Sequence, residues 1–160
     1  MCNAVETVLV SKEIYKEFLP VMKKCLDELN TEIRGCAETC EILDCAAAAE
    51  NDYYEEYNDF ILAVKVVADV QEAIAHINKY NTKHSEAILT NDIKNAREFQ
   101  AKVDAVAVYV NTSTRFTDGE EYGFGAEIGI STSKLHARGP VGLNELTTVK
   151  YLIDGDGQVR

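Results

Sequence analysis

The sequence predicts an α/β domain in which a mostly parallel sheet is flanked by helices. Short apolar runs at 60–67 (FILAVKVV), 86–90 (EAILT) and 105–110 (AVAVYV) read as strands. The segments between them repeat apolar residues at helical spacing. Their connections are short, so strand–helix–strand units with right-handed crossovers follow. A length of 160 residues suits one domain, because a single core stays undivided to roughly 200 residues or more.

Taken in order, 6–10 reads as a strand and Ser11 as the N-cap of the helix after it. Ile14, Phe18, Val21, Cys25 and Leu29 define one face of that helix. Pro20 lies inside it and is expected to kink or divide it, since proline removes a donor and crowds the preceding turn. Residues 31–34 read as a strand, and 36–59 has no clear period. The run at 60–67 is apolar on both faces, as in a strand covered on both sides. Val70, Ala73, Ile74, Ile77 and Tyr80 give the next helix its inner face, with Asn81 at its end. Asn91 is the expected cap of a helix whose inner face is Ile93, Ala96, Phe99 and Val103. From 112 to 147 there are six glycines and little periodicity, yet aromatic and aliphatic residues are spread throughout. A segment of that kind is expected to be ordered and functional. Residues 148–153 (TVKYLI) read as a final strand followed by a polar tail.

Composition excludes several classes of function. At 46% hydrophobic and 27% charged the chain is ordinary globular material. Its longest apolar runs are five or six residues, against about 20 needed to cross a bilayer. Its start lacks the basic and apolar stretches of a signal peptide, so a cytoplasmic protein with no membrane contact is expected. The net charge of −11 is concentrated in 1–59, with 14 acidic and 5 basic groups. No segment is a basic stripe, so no nucleic-acid partner is expected. The five cysteines are an odd number, and no disulfide framework is expected. Cys36, Cys40 and Cys45 are spaced poorly for zinc and no metal site is expected.

Few residues carry chemistry by type and position. Cys2, just ahead of the first strand, is a potential nucleophile provided its thiolate is favoured. Gly123-Phe124-Gly125 and Gly129 miss the dinucleotide-binding spacing by one residue. Arg115, Lys134, His136 and Arg138 are the cations of the Gly-rich segment and could hold a carboxylate or phosphate. On composition alone they read rather as surface charges. Glu55 and Glu56 lie ahead of the buried strand on an acidic face.

The stretch NTSTRFTDGEEYGFGAEIGISTSKLHARGPVGLNELTTVKY, 111–151, resembles the C-terminal signature of the γ-glutamyl phosphate reductase (glutamate-5-semialdehyde dehydrogenase) family. The opening Cys2-Asn3-Ala4-Val5-Glu6-Thr7 resembles that family's catalytic-cysteine segment, and 55–99 resembles the family in order and spacing. The resemblance implies membership of the aldehyde dehydrogenase superfamily. It implies an enzyme that uses NADPH to reduce L-glutamyl 5-phosphate to L-glutamate 5-semialdehyde and phosphate, in proline biosynthesis. Cys2 is then the catalytic nucleophile that forms a thioester. Its backbone N–H is one oxyanion donor, and a second is expected from an asparagine upstream. Such a donor is worth about 3 kcal/mol. Glu56, ahead of Tyr57, falls where the superfamily binds the nicotinamide ribose. Arg115, His136 and Arg138 lie in the family's Ser-Thr-Arg-Phe and His-Ala-Arg-Gly-Pro motifs and are the expected substrate-binding residues.

The resemblance divides the chain into a catalytic domain at 1–147 and a final strand and tail at 148–160, the strand being the expected contact of a homo-oligomer. The family's Rossmann-like cofactor domain precedes the catalytic cysteine, and this chain begins one residue before it. The expectation is the C-terminal catalytic part of a longer enzyme, inactive by itself because most of the NADPH site lies elsewhere. The alternative is a non-catalytic fragment that acts as an interaction module. Glu120 stands where the family often has glycine. The cysteine-bearing 36–50 stretch is untypical, which leaves a metal or redox role open there.

Overall fold

The structure is a computed structural model and describes residues 3–159. Its elements run β1 (Thr7–Ser11), α1 (Tyr15–Asp27), β2 (Glu32–Gly35), α2 (Ala37–Ile42), β3 (Ala46–Ala47), β4 (Ile61–Val67), α3 (Val70–Tyr80), β5 (Ser85–Ile88), α4 (Ile93–Lys102), β6 (Ala107–Val110), β7 (Gly129–Ser131) and β8 (Gly139–Val141). Three short 3-10 turns punctuate them at Glu50–Tyr53, Thr114–Phe116 and Asn144–Leu146.

The mostly parallel architecture holds. β1, β4, β2 and β3 form a parallel sheet in that order, β5 and β6 form a second parallel ladder, and β7 and β8 form an antiparallel hairpin. β4 sits between β1 and β2, with Val8 opposite Val64 and Ile33 opposite Leu62. Both its faces are covered, which is why its sequence does not alternate. Val10, Ile33, Leu43, Leu62, Val64 and Val66 close the main core around Leu19 of α1, which is 0% exposed. A second core joins Ile74 of α3 to Phe99 and Val103 at α4.

Helix α1 differs from expectation in three ways. Its buried stripe is Tyr15, Leu19, Met22 and Leu26, whereas Ile14, Phe18, Val21, Cys25 and Leu29 are exposed. Both stripes have helical spacing, one residue or 100° apart, so periodicity alone does not say which one meets the sheet. Pro20 leaves the helix unbroken from Tyr15 to Asp27. It lies on the exposed side, where water can satisfy the carbonyl it leaves without a donor. Ser11 does not cap α1. Its hydroxyl accepts from the Glu13 N–H at 3.2 Å, forming a local turn, and the helix starts later with Ile14 at the N-cap position.

At α3, Asp69 is the cap and its carboxylate accepts from the Glu72 N–H, while Asn81 ends the helix as expected. At α4 the cap is Asp92 in place of the expected Asn91, accepting from the Lys94 and Asn95 N–H groups. A carboxylate suits that position better because it also faces the positive helix end. Ile93, placed on the inner face by spacing, is exposed, while Ala96, Phe99 and Val103 are buried.

The expected strand at 148–153 pairs with no strand among the described residues. Val149, Tyr151, Leu152 and Ile153 are all exposed, Ile153 by 90%. A strand is made by its ladder partner, and an apolar β-prone run without one remains irregular.

Candidate active site

Asn3 is buried, and its carbonyl accepts from the Thr114 hydroxyl at 2.8 Å. That bond crosses 111 residues of sequence and ties the chain ahead of β1 to the loop after β6. The loop is shaped by its own side chains. Asn111, at φ 54°, bonds both ways with the Thr90 backbone at 2.8 Å. Ser113 caps the 3-10 turn by accepting from the Arg115 N–H at 3.2 Å. Ser113, Thr114 and Asn111 were not among the sequence candidates. The signal available was the Ser-Thr pair before Arg115, a turn-forming dipeptide.

The predicted site residues are distributed around this tie. Cys2 lies outside the described residues; its neighbour Asn3 is the buried residue held by Thr114. Arg115 follows Thr114 directly and its side chain is exposed. Glu56 is also exposed. Tyr57 anchors its segment: the Tyr57 hydroxyl donates to the Asp52 carboxylate at 2.9 Å, and Arg34 pairs with the same carboxylate at 2.7 Å. The guanidinium beside Asp52 holds its carboxyl below the usual carboxylate range. Burial first, and then the negative charge of Glu56, raise the Glu6 carboxyl. Glu56 is therefore a neighbour of the segment between Asn3 and β1. The structure thus ties the Arg115 segment to Asn3 through Thr114, while no hydrogen bond or ion pair joins Glu56 to either among the described residues.

Arg138 and His136 lie just ahead of β8, in the turn of the β7–β8 hairpin. His136 is exposed. Arg138 is half-buried, and its Nε and Nη2 are buried with no hydrogen-bond partner. A buried guanidinium with free donors is costly unless an anion meets it. Lys134, the remaining cation of the segment, already pairs with Asp104 at 2.9 Å. No hydrogen bond or ion pair joins Arg115, His136 and Arg138 to one another among the described residues.

The Gly-rich segment is ordered by close contacts. A Cβ at Gly119 would lie 2.8 Å from the Ala126 carbonyl oxygen, so only glycine fits there. The Gly119 N–H donates to Glu127 at 3.0 Å, closing the same loop. Gly139 sits at φ 71° with its missing side chain 2.7 Å from Val106, which lets β8 lie against the start of β6. That contact seats Arg138.

A separate open cleft of about 240 Å³ lies at the C-terminal ends of β5 and β6, lined by Thr90, Asp92, Ala96, Val110 and Asn111 among others. None of the sequence candidates lines it. Asp92 and Asn111 spend their polar groups on backbone there. No helix among the described residues is long and apolar enough to cross a membrane. No group of three or more His, Cys, Asp and Glu is gathered as a metal site among them.

With the site laid out, its relatives are informative. The aldehyde dehydrogenase family profile matches residues 42–152. The γ-glutamyl phosphate reductase of Dictyoglomus thermophilum is 64% identical across all of this chain, which covers 39% of that protein. That of Clostridium perfringens is 62% identical over the same share. The crystal structure of γ-glutamyl phosphate reductase from Thermotoga maritima superposes with a TM-score of 0.93 at 56% identity, over all of this chain and 39% of that one. The enzyme from Saccharomyces cerevisiae superposes at 0.56 with 28% identity, over 76% of this chain. The chain thus spans about two-fifths of the length of the relatives it matches. Family profile, sequence identity and backbone geometry agree, and the chain belongs to the aldehyde dehydrogenase family.

Proposed function

We propose that the chain forms the catalytic part of an NADPH-dependent reductase that converts L-glutamyl 5-phosphate to L-glutamate 5-semialdehyde and phosphate in the cytoplasm. The observation that carries this reading is the 64% identity across the whole chain to a γ-glutamyl phosphate reductase. The buried, unpartnered donors of Arg138 support it, because they suit a carboxylate or phosphate.

In this reading Cys2 is the nucleophile. Its thiolate attacks the acyl carbon, the C–O bond to phosphate breaks, and phosphate leaves with the electron pair. The product is a thioester on Cys2, and one hard displacement becomes two easier steps. Thr114 fixes the chain beside Cys2 through the Asn3 carbonyl. Arg138, Arg115 and His136 are the residues proposed to hold the anionic ends of the substrate and to stabilise the departing phosphate. Glu56 presents an exposed carboxylate that fits a ribose diol, so it is the residue that would hold the cofactor here. When bound, the nicotinamide supplies the hydride that releases the aldehyde. The remaining cofactor contacts belong to the part of the enzyme that its relatives have in addition. The exposed run at 148–153 is the proposed pairing strand of a homo-oligomer, since an unpartnered apolar strand is a ready template.

The half-reaction needs no cofactor and tests the assignment. The chain is mixed with an acyl phosphate, acetyl phosphate serving as the probe, and the modified residue is located by peptide mass spectrometry. An acyl group on Cys2 with release of phosphate, both lost in Cys2→Ser, is the expected result. Acylation spread over the other cysteines, or none at Cys2, overturns the reading. Full turnover with NADP, phosphate and glutamate semialdehyde is expected to be undetectable for this chain alone.

A further inference from the structure

We propose that Cys40 and Cys45 are a redox-active dithiol that closes to a reversible disulfide, clasping the end of α2 to the edge strand β3. The two sulfurs are 3.3 Å apart. That is about 1 Å beyond bonding distance, a gap that small side-chain rotations in a six-residue loop can close. The local chain is built around this approach. Helix α2 ends at Ile42, and Leu43 adopts an extended conformation that turns Cys45 back toward the helix. Gly35 makes the room, because the Cys45 sulfur lies 3.0 Å from where a side chain would begin at that position.

The other described cysteines are engaged or remote. Cys36 accepts from the Val66 N–H at 3.3 Å and contacts Thr39 at 3.4 Å, which turns its sulfur toward β4. Cys25 is exposed on α1. Partner choice is therefore set by geometry. Burial, and then the Cys40 sulfur beside it, push the Cys45 thiol up to about 11. Cys45 thus stays protonated at neutral pH, which leaves Cys40, whose thiol donates to the Gly35 carbonyl at 3.4 Å, as the attacking member of the pair.

The oxidant is a small disulfide such as glutathione disulfide. The Cys40 thiolate attacks one of its sulfurs, forming a mixed disulfide and expelling one glutathione thiolate. Cys45 then loses its proton, attacks the Cys40 sulfur and expels the second. Two electrons pass from the dithiol to the oxidant, and the two protons end on two glutathione thiols. The bridge would fix a short strand held by the Arg34–Ala46 and Gly35–Ala47 register pairs, the 2.8 Å bond from the Ala48 N–H to the Gly35 carbonyl and the contact of the Cys40 thiol with the Ala46 carbonyl at 3.7 Å.

The folded chain is incubated with excess glutathione disulfide, quenched in acid, alkylated with N-ethylmaleimide and weighed intact, then mapped by peptides. The expected product has lost two hydrogens and carries three alkyl groups on its five cysteines. The bridge is expected to map to Cys40–Cys45, to reopen with dithiothreitol, and to form unchanged in Cys25→Ser. Cys45→Ser should instead hold glutathione on Cys40. Five alkylated thiols, a bridge that includes Cys2, Cys25 or Cys36, or a Cys45→Ser chain that carries no glutathione on Cys40 overturns the proposal.

Discussion

Replacing Arg138 with methionine is expected to raise the stability of the chain while removing its response to anions. Methionine keeps the apolar stem and deletes the two buried donors that lack partners. An unsatisfied buried polar group costs about 1–3 kcal/mol. Arg138 is half-buried rather than fully enclosed, so the lower part of that range applies, about 1–2 kcal/mol in all. For a chain of this size each kcal/mol moves Tm by roughly 2–4 °C. The opposing effect is the loss of one cation from a chain of net charge −11. At about 0.15 M salt the Debye length is ~8 Å, which screens most of that repulsion. Inorganic phosphate or glutarate should stabilise the wild-type chain by mass action, about 2.7 kcal/mol at a hundredfold excess over Kd. Neither should move the variant. Thermal unfolding followed by circular dichroism, with and without the anions, reads both effects. A lower Tm for Arg138→Met without anion, or equal protection of both proteins by phosphate, refutes the argument.

The remaining predictions rest on single contacts. Thr114→Val deletes the 2.8 Å bond to Asn3 and leaves a buried carbonyl unpaired. Urea unfolding should show a loss of about 1–3 kcal/mol, with faster amide exchange at residues 3–6. Gly139→Ala forces a left-handed backbone and a 2.7 Å contact with Val106, whereas Gly123→Ala meets open space at φ 79°. The first should cost about 2–3 kcal/mol and the second about 1, a difference that chemical denaturation resolves. His76 is buried among the Tyr53 and Tyr80 rings, facing Glu72, Lys65 and Lys79, and burial lowers it from 6.5 to about 4. The unfolded chain therefore takes up the proton first as pH falls. The contribution of His76 to stability should drop between about pH 6.5 and 4 by up to ~3 kcal/mol, against the opposite contribution of Glu86, which burial raises to about 7, and it is read as the difference between the wild-type and His76→Phe chains in a pH series of Tm values.

Much of this architecture is local and was legible in the residues. The strands at β1, β2, β4, β5 and β6 and the helices α3 and α4 follow from apolar runs and periodicity, because each buries a face that its own sequence must supply. The family was legible for the same kind of reason, since the motif at 111–151 and the Cys2 segment are continuous strings. Arg138 and Arg115 were named from charge and motif, and Arg138 has the buried, unpaired donors a binding residue needs.

Other features belong to contacts between distant segments. Helix α1 carries two apolar stripes, and only its docking on β1, β2 and β4 selects the one through Leu19. The run at 148–153 has every local property of a strand, but a strand is completed by a ladder partner that the described residues do not provide. Thr114 carries no sign of its partner 111 residues away. The 3.3 Å approach of Cys40 and Cys45 depends on a helix end and on the space left by Gly35. Sequence by itself determined which segments form strands and helices and which family they serve, because those are properties of contiguous residues. Tertiary structure decided which face is buried, which cation is left without a partner and which two thiols meet, because those depend on where the chain returns.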